Sequence, residues 1–275
     1  MKASPIGVFD SGYGGLTILS ELVKILPQYD FIYLGDNSRA PYGDKSFETV
    51  YQQTLQCVKW FFDEAGSNLV ILACNTASAK ALRTIQQNDL PLLYPDKRVL
   101  GVIRPTAEII GTFSQTKHIG VLGTAGTISS MSYLIEMGKF FPDCTVSQEA
   151  CQGWVGLVEE NKVHTAEADE LVNEHLRAIL QKDPKIDTLL LACTHYPLLM
   201  DIITKHLPPL VKAIPQGEIV ANSLVDYLNR HPEMNAKCSK TAELRFFTTG
   251  NEEDFNNHAS QFFGKKLLSE HLELP

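Results

Sequence analysis

Two cysteines close two near-identical apolar phrases, Leu69-Val70-Ile71-Leu72-Ala73-Cys74-Asn75-Thr76 and Thr188-Leu189-Leu190-Leu191-Ala192-Cys193-Thr194-His195. In each phrase a run with strand character stops at a small residue, a thiol and polar side chains. A thiolate is a base and a nucleophile, and the thiol is its conjugate acid. Two such groups from related halves of one chain can face opposite sides of one small molecule. That geometry takes a proton from one face of a carbon and returns another to the opposite face. A cysteine between a strand and a helix also lies near the positive end of the helix dipole, which lowers a thiol below its free value of about 8.5. Both cysteines are therefore expected to be thiolate in part at neutral pH.

A lone buried cysteine is more often an inert apolar residue. That reading is kept for Cys57, Cys144, Cys151 and Cys238; Cys57, among Val58, Phe61 and Phe62, reads as core. The repetition, and the polar residues that follow each thiol, set Cys74 and Cys193 apart. His195 stands two residues after Cys193 and can tune it as an acid–base neighbour. A further turn, Asp10-Ser11-Gly12-Tyr13-Gly14-Gly15, also falls at a strand end, where glycines allow close backbone approach to a ligand. It does not match the G-x-G-x-x-G dinucleotide fingerprint, and Asp10 serves equally well as a cap for a tight turn. The long polar loop from Gly35 through Tyr42 to Gly43 suits either function or simple connection.

These residues are carried by alternating strands and helices. Ile6-Gly7-Val8-Phe9 reads as a buried strand, and the glycine turn leads into a helix with Leu16, Leu19, Val23 and Leu26 on one face. A strand at 31–34, a helix near 46–65, a strand at 69–73 and a helix from near Ala77 continue the pattern. It restarts with a strand at 99–103 and with Ile119-Gly120-Val121-Leu122, followed by Gly123-Thr124-Ala125-Gly126-Thr127. The two Ile-Gly-Val phrases and the two cysteine phrases recur at nearly equal offsets, which implies an internal duplication. The expected architecture is α/β, with two pseudo-symmetric lobes, each a mainly parallel sheet flanked by helices, and the active site in the cleft between them. The lobes are expected at 1–98 plus 211–275, carrying Cys74, and at 99–210, carrying Cys193. Within the returning segment the pattern gives a strand at 211–214, helices near 218–228 and 254–263, and a strand near 244–248.

Bulk properties narrow the function classes. The chain has 275 residues, 44% hydrophobic and 20% charged, with a net charge of −8. That charge disfavours a nucleic-acid groove, which needs a basic surface, but not a small anion held by backbone amides. No apolar run reaches the roughly 18 to 20 residues of a membrane span. The N-terminal stretch lacks a signal-peptide core and leaves little room before the first strand for an extension that binds a regulator. A cytoplasmic protein with reduced cysteines is expected. The cysteine spacing does not suggest a zinc site.

The motifs resemble one family. Asp10-Ser11-Gly12-Tyr13-Gly14-Gly15-Leu16, Tyr33-Leu34-Gly35-Asp36 with Pro41-Tyr42-Gly43, Ala73-Cys74-Asn75-Thr76-Ala77-Ser78 and Cys193-Thr194-His195-Tyr196-Pro197-Leu198-Leu199 are similar, in order, to the motifs of glutamate racemases. The resemblance spans about residues 6–228. It implies interconversion of L- and D-glutamate without a cofactor, supplying the D-form for peptidoglycan and hence for cell-wall biogenesis and cell shape. It implies that Cys74 and Cys193 are the acid–base pair and that Asp10 and His195 assist them. By the same resemblance Asp10, Ser11, Tyr42, Gly43, Asn75, Thr76, Thr194 and His195 would hold the substrate, with Thr124 and Thr127 adding contacts. The partner is then the small molecule glutamate, with no nucleic acid and no membrane; a homodimer is compatible with the sequence. The chain departs from the family pattern at Cys151-Gln152-Gly153-Trp154-Val155-Gly156-Leu157-Val158-Glu159, which lacks two prolines and leaves Glu159 without an assigned role. It departs again at Pro215-Gln216-Gly217-Glu218, where an Asp-Ser-Gly type of turn is expected.

Three alternatives stay open on sequence alone: a racemase of aspartate or a related amino acid, a thiol redox enzyme with a resolving cysteine, and a non-catalytic interaction protein on an old racemase fold.

Overall fold

Short runs rich in Val, Ile, Leu and Phe form the strands, and the amphipathic segments between them form the helices. The computed structural model describes residues 3–274. Its strands are β1 (Ile6–Asp10), β2 (Phe31–Gly35), β3 (Leu69–Leu72), β4 (Arg98–Gly101), β5 (His118–Gly123), β6 (Thr145–Ala150), β7 (Thr188–Ala192), β8 (Lys212–Ile214), β9 (Leu244–Thr248) and β10 (Ser269–His271). They build one sheet in the order β10-β9-β2-β1-β3-β4 and another in the order β6-β5-β7-β8. Every pairing between these strands is parallel.

The duplication is visible in this order. In the first half the strands run 2-1-3-4, and in the second half β6-β5-β7-β8 repeats the same arrangement. Cys74 follows β3 and Cys193 follows β7, so the thiols occupy equivalent strand ends. Each lies beside the point where the strand order reverses, between β1 and β3 or between β5 and β7, which is where open parallel sheets bind ligands.

Two strands fall on the opposite side of the expected lobe boundaries. The strand expected to open the second lobe is β4, and it pairs with β3 in the first sheet. The strand expected to return to the first lobe is β8, and it pairs with β7 in the second. The reason is the βαβ unit itself: the crossover after β3 lays β4 beside it, the crossover after β7 lays β8 beside it, and the sheet changes only after the fourth strand of each half.

The helices match their expected positions closely. After the glycine turn comes α1 (Leu16–Ile25), and α2 (Phe47–Asp63) starts at Ser46, whose hydroxyl accepts the Thr49 N–H. The third, α3 (Asn75–Lys80), starts earlier than expected because the Cys74 side chain is its cap, accepting the Ala77 N–H. The Gly217–Arg230 and Glu252–Phe263 helices both pack on α1. Val8 and Tyr33 of the first sheet share one continuous apolar cluster with Leu122 and Leu191 of the second, so the lobes are joined through their cores.

Gly7 in β1 shows how tightly sheet and helix meet. A Cβ there would lie 2.6 Å from the Phe61 ring of α2. Gly7→Ala should therefore lower stability by about 1–3 kcal/mol through overpacking. The loss should shrink when Phe61→Leu is added; thermal melts of the single and double variants measure both.

Candidate active site

The β1 end places Asp10 deep in the protein, 1% exposed. Its Oδ2 accepts the Gly12 N–H at 2.9 Å, and its Oδ1 makes no hydrogen bond among the described residues. Burial raises Asp10 above the usual carboxylate range, against the lowering effect of His195 and of the Gly12 and Gly15 amides. The carboxyl is thus biased toward its neutral form, with one oxygen free for a ligand.

Cys74 is equally enclosed. Its Sγ accepts from the Ala77 N–H at 3.4 Å and lies 3.5 Å from Ser11 Oγ. Burial and the nearby Asp10 push its thiol up to about 12, despite the Ala77 and Ser11 contacts that pull it down. This corrects the expectation of a partly ionised Cys74. The helix start does favour the thiolate, but loss of water around the sulfur outweighs that effect.

Cys193 has different neighbours. Its Sγ lies 3.8 Å from His195 Nδ1, and His195 Nε2 is 2.9 Å from Glu159 Oε1. Burial lowers the imidazole, but Cys193 and Glu159 together outweigh it and raise it to about 10. His195 is then a cation at neutral pH, donating through both ring nitrogens. The edge of Phe262, from the Glu252–Phe263 helix, packs on the same ring at 5.4 Å between centroids. Cys193 is among the groups that raise Cys74, after burial and Asp10.

The glycine turn fits against this second phrase. A Cβ at Gly14 would lie 2.3 Å from Thr194 Oγ1 and 2.5 Å from His195 Nδ1, so only glycine lets the β1 turn reach the second lobe. Thr17 Oγ1 donates to the Thr194 carbonyl at 3.0 Å and holds the two segments together.

The other expected site residues divide into two groups. Ser11 and Thr194 lie beside the thiols. Thr76 Oγ1 reaches across the lobes to Thr124 Oγ1 at 3.0 Å and Thr127 Oγ1 at 3.4 Å. Gly43 brings its loop against Thr124: a Cβ there would lie 3.4 Å from Thr124 Cβ. Tyr42 and Asn75, by contrast, have their side chains engaged within the protein. The Tyr42 hydroxyl donates to Asp36, a buried carboxylate that also accepts from Arg39 and Thr249. Asn75 donates to Gln216 at 2.7 Å and accepts from Tyr133 at 2.6 Å. Sequence reasoning left Glu159 without a role and missed Asp36, Tyr133 and Gln216 as supports. An acidic residue at the end of a family-like run was the one available signal, and it pointed to Glu159.

Fold and site define a two-lobed, wholly parallel α/β protein with Cys74 and Cys193 at equivalent strand ends of its two sheets. The chain belongs to the Asp/Glu/Hydantoin racemase family, whose model matches residues 6–220. It is 41% identical over 275 aligned residues to a glutamate racemase of Ruegeria sp. (strain TM1040), covering 96% of this chain and 98% of that protein. Among solved structures, the glutamate racemase isoform RacE1 of Bacillus anthracis superposes with a TM-score of 0.89 at 34% identity, covering 100% of this chain and 99% of the other. The glutamate racemase of Francisella tularensis subsp. tularensis SCHU S4, solved in complex with D-glutamate, gives 0.87 at 31% identity, with 100% and 99% coverage.

The Glu159–His195 pair has a pH signature. A folded-state value of about 10 lies above that of a free imidazole near 6.5, so the protonated ring, held by Cys193 and Glu159 together, stabilises the fold fully below about pH 6.5 and loses that contribution as pH rises through about 10. Glu159→Gln removes a group that raises the ring. An NMR titration of His195 should show its midpoint near 10 in the parent protein and lower, by about one unit or more, in the variant. An unchanged midpoint would remove Glu159 from this role.

Proposed function

We propose that the chain interconverts L- and D-glutamate by proton transfer between Cys74 and Cys193 across the substrate's α-carbon. The observation that carries this reading is the placement of the two thiols. They stand at equivalent ends of two like sheets, each beside the reversal in strand order, and Cys193 is close enough to help raise Cys74. The choice of glutamate rests on the relatives above 30% identity, which are glutamate racemases. Aspartate racemase of Picrophilus torridus shares only the fold, at 18% identity and a TM-score of 0.53.

The α-hydrogen of an amino acid is very weakly acidic, so the site must stabilise the developing negative charge itself. Fixed N–H dipoles at the start of α3, the neutral-biased Asp10 and the His195 cation provide a preorganised electrostatic environment with little water. In the resting protein the Cys74 thiol keeps its proton, while Cys193 lies against the imidazolium. On this reading Cys193 is placed to take a hydrogen from one face of the α-carbon and Cys74 to deliver one to the other. The reverse direction requires Cys74 to ionise, and a substrate ammonium arriving beside the free Asp10 oxygen favours that ionisation. The Ser11, Thr76, Thr124, Thr127 and Thr194 hydroxyls supply the donors for the two carboxylates. The product would serve peptidoglycan synthesis in the cytoplasm. Among the described residues no helix is long and apolar enough to cross a membrane. Assembly as a homodimer belongs to the same proposal.

During turnover in D2O, each product molecule should carry deuterium at the α-carbon. Cys74→Ser and Cys193→Ser should each cut racemisation by at least about a hundredfold, while each variant still washes the α-hydrogen out of one enantiomer only. Near-parental racemisation by either variant, or product without solvent deuterium, would exclude the two-thiol reading. Turnover of aspartate but not glutamate would exclude the substrate.

A further inference from the structure

We infer that Gln216 is a positioning residue for Cys74: its side-chain amide ties together the two places where the chain crosses between the sheets and fixes the residue that follows the thiol. The inference rests on the two-thiol reading above. It arises at the sequence position where the chain departs from the expected Asp-Ser-Gly type of turn.

The chain passes from the first sheet to the second after β4 and returns after β8. Val102 and Gln216 stand just beyond these equivalent exits. Gln216 is 2% exposed, and its Nε2 lies 3.3 Å from the Val102 carbonyl, 2.8 Å from Thr106 Oγ1 and 2.7 Å from Tyr133 Oη. Its Oε1 accepts from Asn75 Nδ2 at 2.7 Å. Asn75 opens α3, directly after Cys74, and Tyr133 comes from the second lobe's Ser132–Phe140 helix.

Proton counting fixes the direction of every bond. Thr106 donates its only hydroxyl proton to the Val102 carbonyl at 2.7 Å, and Tyr133 donates its own to Asn75 Oδ1 at 2.6 Å. Both hydroxyl oxygens must therefore accept, and the group facing them must be a double donor. The group facing Asn75 Nδ2 must be an acceptor. A primary amide supplies this combination. A carboxylate of the same size does not: it would draw the Tyr133 proton away from Asn75 and face the Val102 carbonyl with a lone pair. Buried networks of this kind hold one geometry when every member is satisfied and lose it when one is not. Cys193 draws on other supports, its sulfur on His195 and its carbonyl on the Tyr196 N–H. Gln216 lines one cavity with Cys193, but among the described residues its side-chain hydrogen bonds run to the residue after Cys74 and none reaches Cys193.

The test is α-hydrogen wash-out in D2O, measured separately for L- and D-glutamate on the full chain. The single cysteine variants first assign which enantiomer presents its hydrogen to Cys74. In Gln216→Glu, which keeps the side-chain volume, wash-out from that enantiomer should slow about tenfold, and wash-out from the other by less than about twofold. Tyr133→Phe, which deletes the proton given to Asn75 without adding charge, should show the same one-sided loss. It carries the test if the glutamate variant does not fold. Equal slowing of both enantiomers in the folded variants would reduce Gln216 to a structural role, and no slowing of either would deny it any role. Both results overturn the inference. Failure of the parent protein to exchange or racemise glutamate would instead overturn the proposed function, so the two failures are distinct.

Discussion

The removal of water from four ionisable side chains is the constraint on which the site depends. Asp10, Cys74, Cys193 and His195 are each no more than 6% exposed. Isolated charges at such depth are costly, so each group must shed its charge or find a partner. Asp10 and Cys74 are pushed toward their neutral forms, whereas His195 keeps its proton because Cys193 and Glu159 surround it. The same lack of water strengthens every dipole aimed at these groups, as the proposed proton transfer without an external electron sink would require. The features that make the site hard to ionise also make it able to stabilise a developing negative charge.

Duplication accounts for the positions of the thiols, and divergence accounts for their different surroundings. The repeated 2-1-3-4 strand order delivers both sulfurs to equivalent points, but the residues that arrive beside them are not equivalent. Cys74 meets Ser11 and Asp10 from the β1 turn. Cys193 meets His195 from its own phrase and, through it, Glu159. The tie between the halves is also asymmetric. Gln216 spans both crossings, yet its amide oxygen reaches only the residue after Cys74.

What the sequence made legible was local. Strand, turn and helix start are contiguous, so Asp10, Ser11, Cys74, Thr76, Cys193 and His195 could be placed at strand ends from pattern alone. Glu159, Tyr133 and Gln216 act through contacts across tens of residues or more, and no local period encodes those contacts. The lobe boundaries shifted because β4 and β8 look like the start of a new unit, while parallel pairing makes each the last strand of the old one. The protonation of Cys74 was misjudged for a related reason. A helix start is visible in sequence, whereas the depth of burial that overrides it follows from how two lobes close. Tyr42 and Asn75 show the same limit, since their residue types suit ligand contact but their side chains are engaged by Asp36, Gln216 and Tyr133.

On the proposed two-thiol reading, unequal thiols serve a reversible inversion. Enantiomers have equal free energies in water, so the equilibrium constant is one and kcat/KM must be the same in both directions, whatever the surroundings of each sulfur. Differences between the Cys74 and Cys193 environments can appear only as a division between kcat and KM. On the same reading, the form in which Cys74 holds its proton is the one that would take a hydrogen from the enantiomer facing Cys193. The opposite enantiomer must first shift that proton, so part of its binding energy goes into ionising Cys74. An asymmetric pair therefore costs nothing in overall efficiency, because the two directions share one highest transition state. On that reading it spares the site two buried thiolates that repel one another, and the raised Cys74 with its own set of neighbours would be the structural means of doing so.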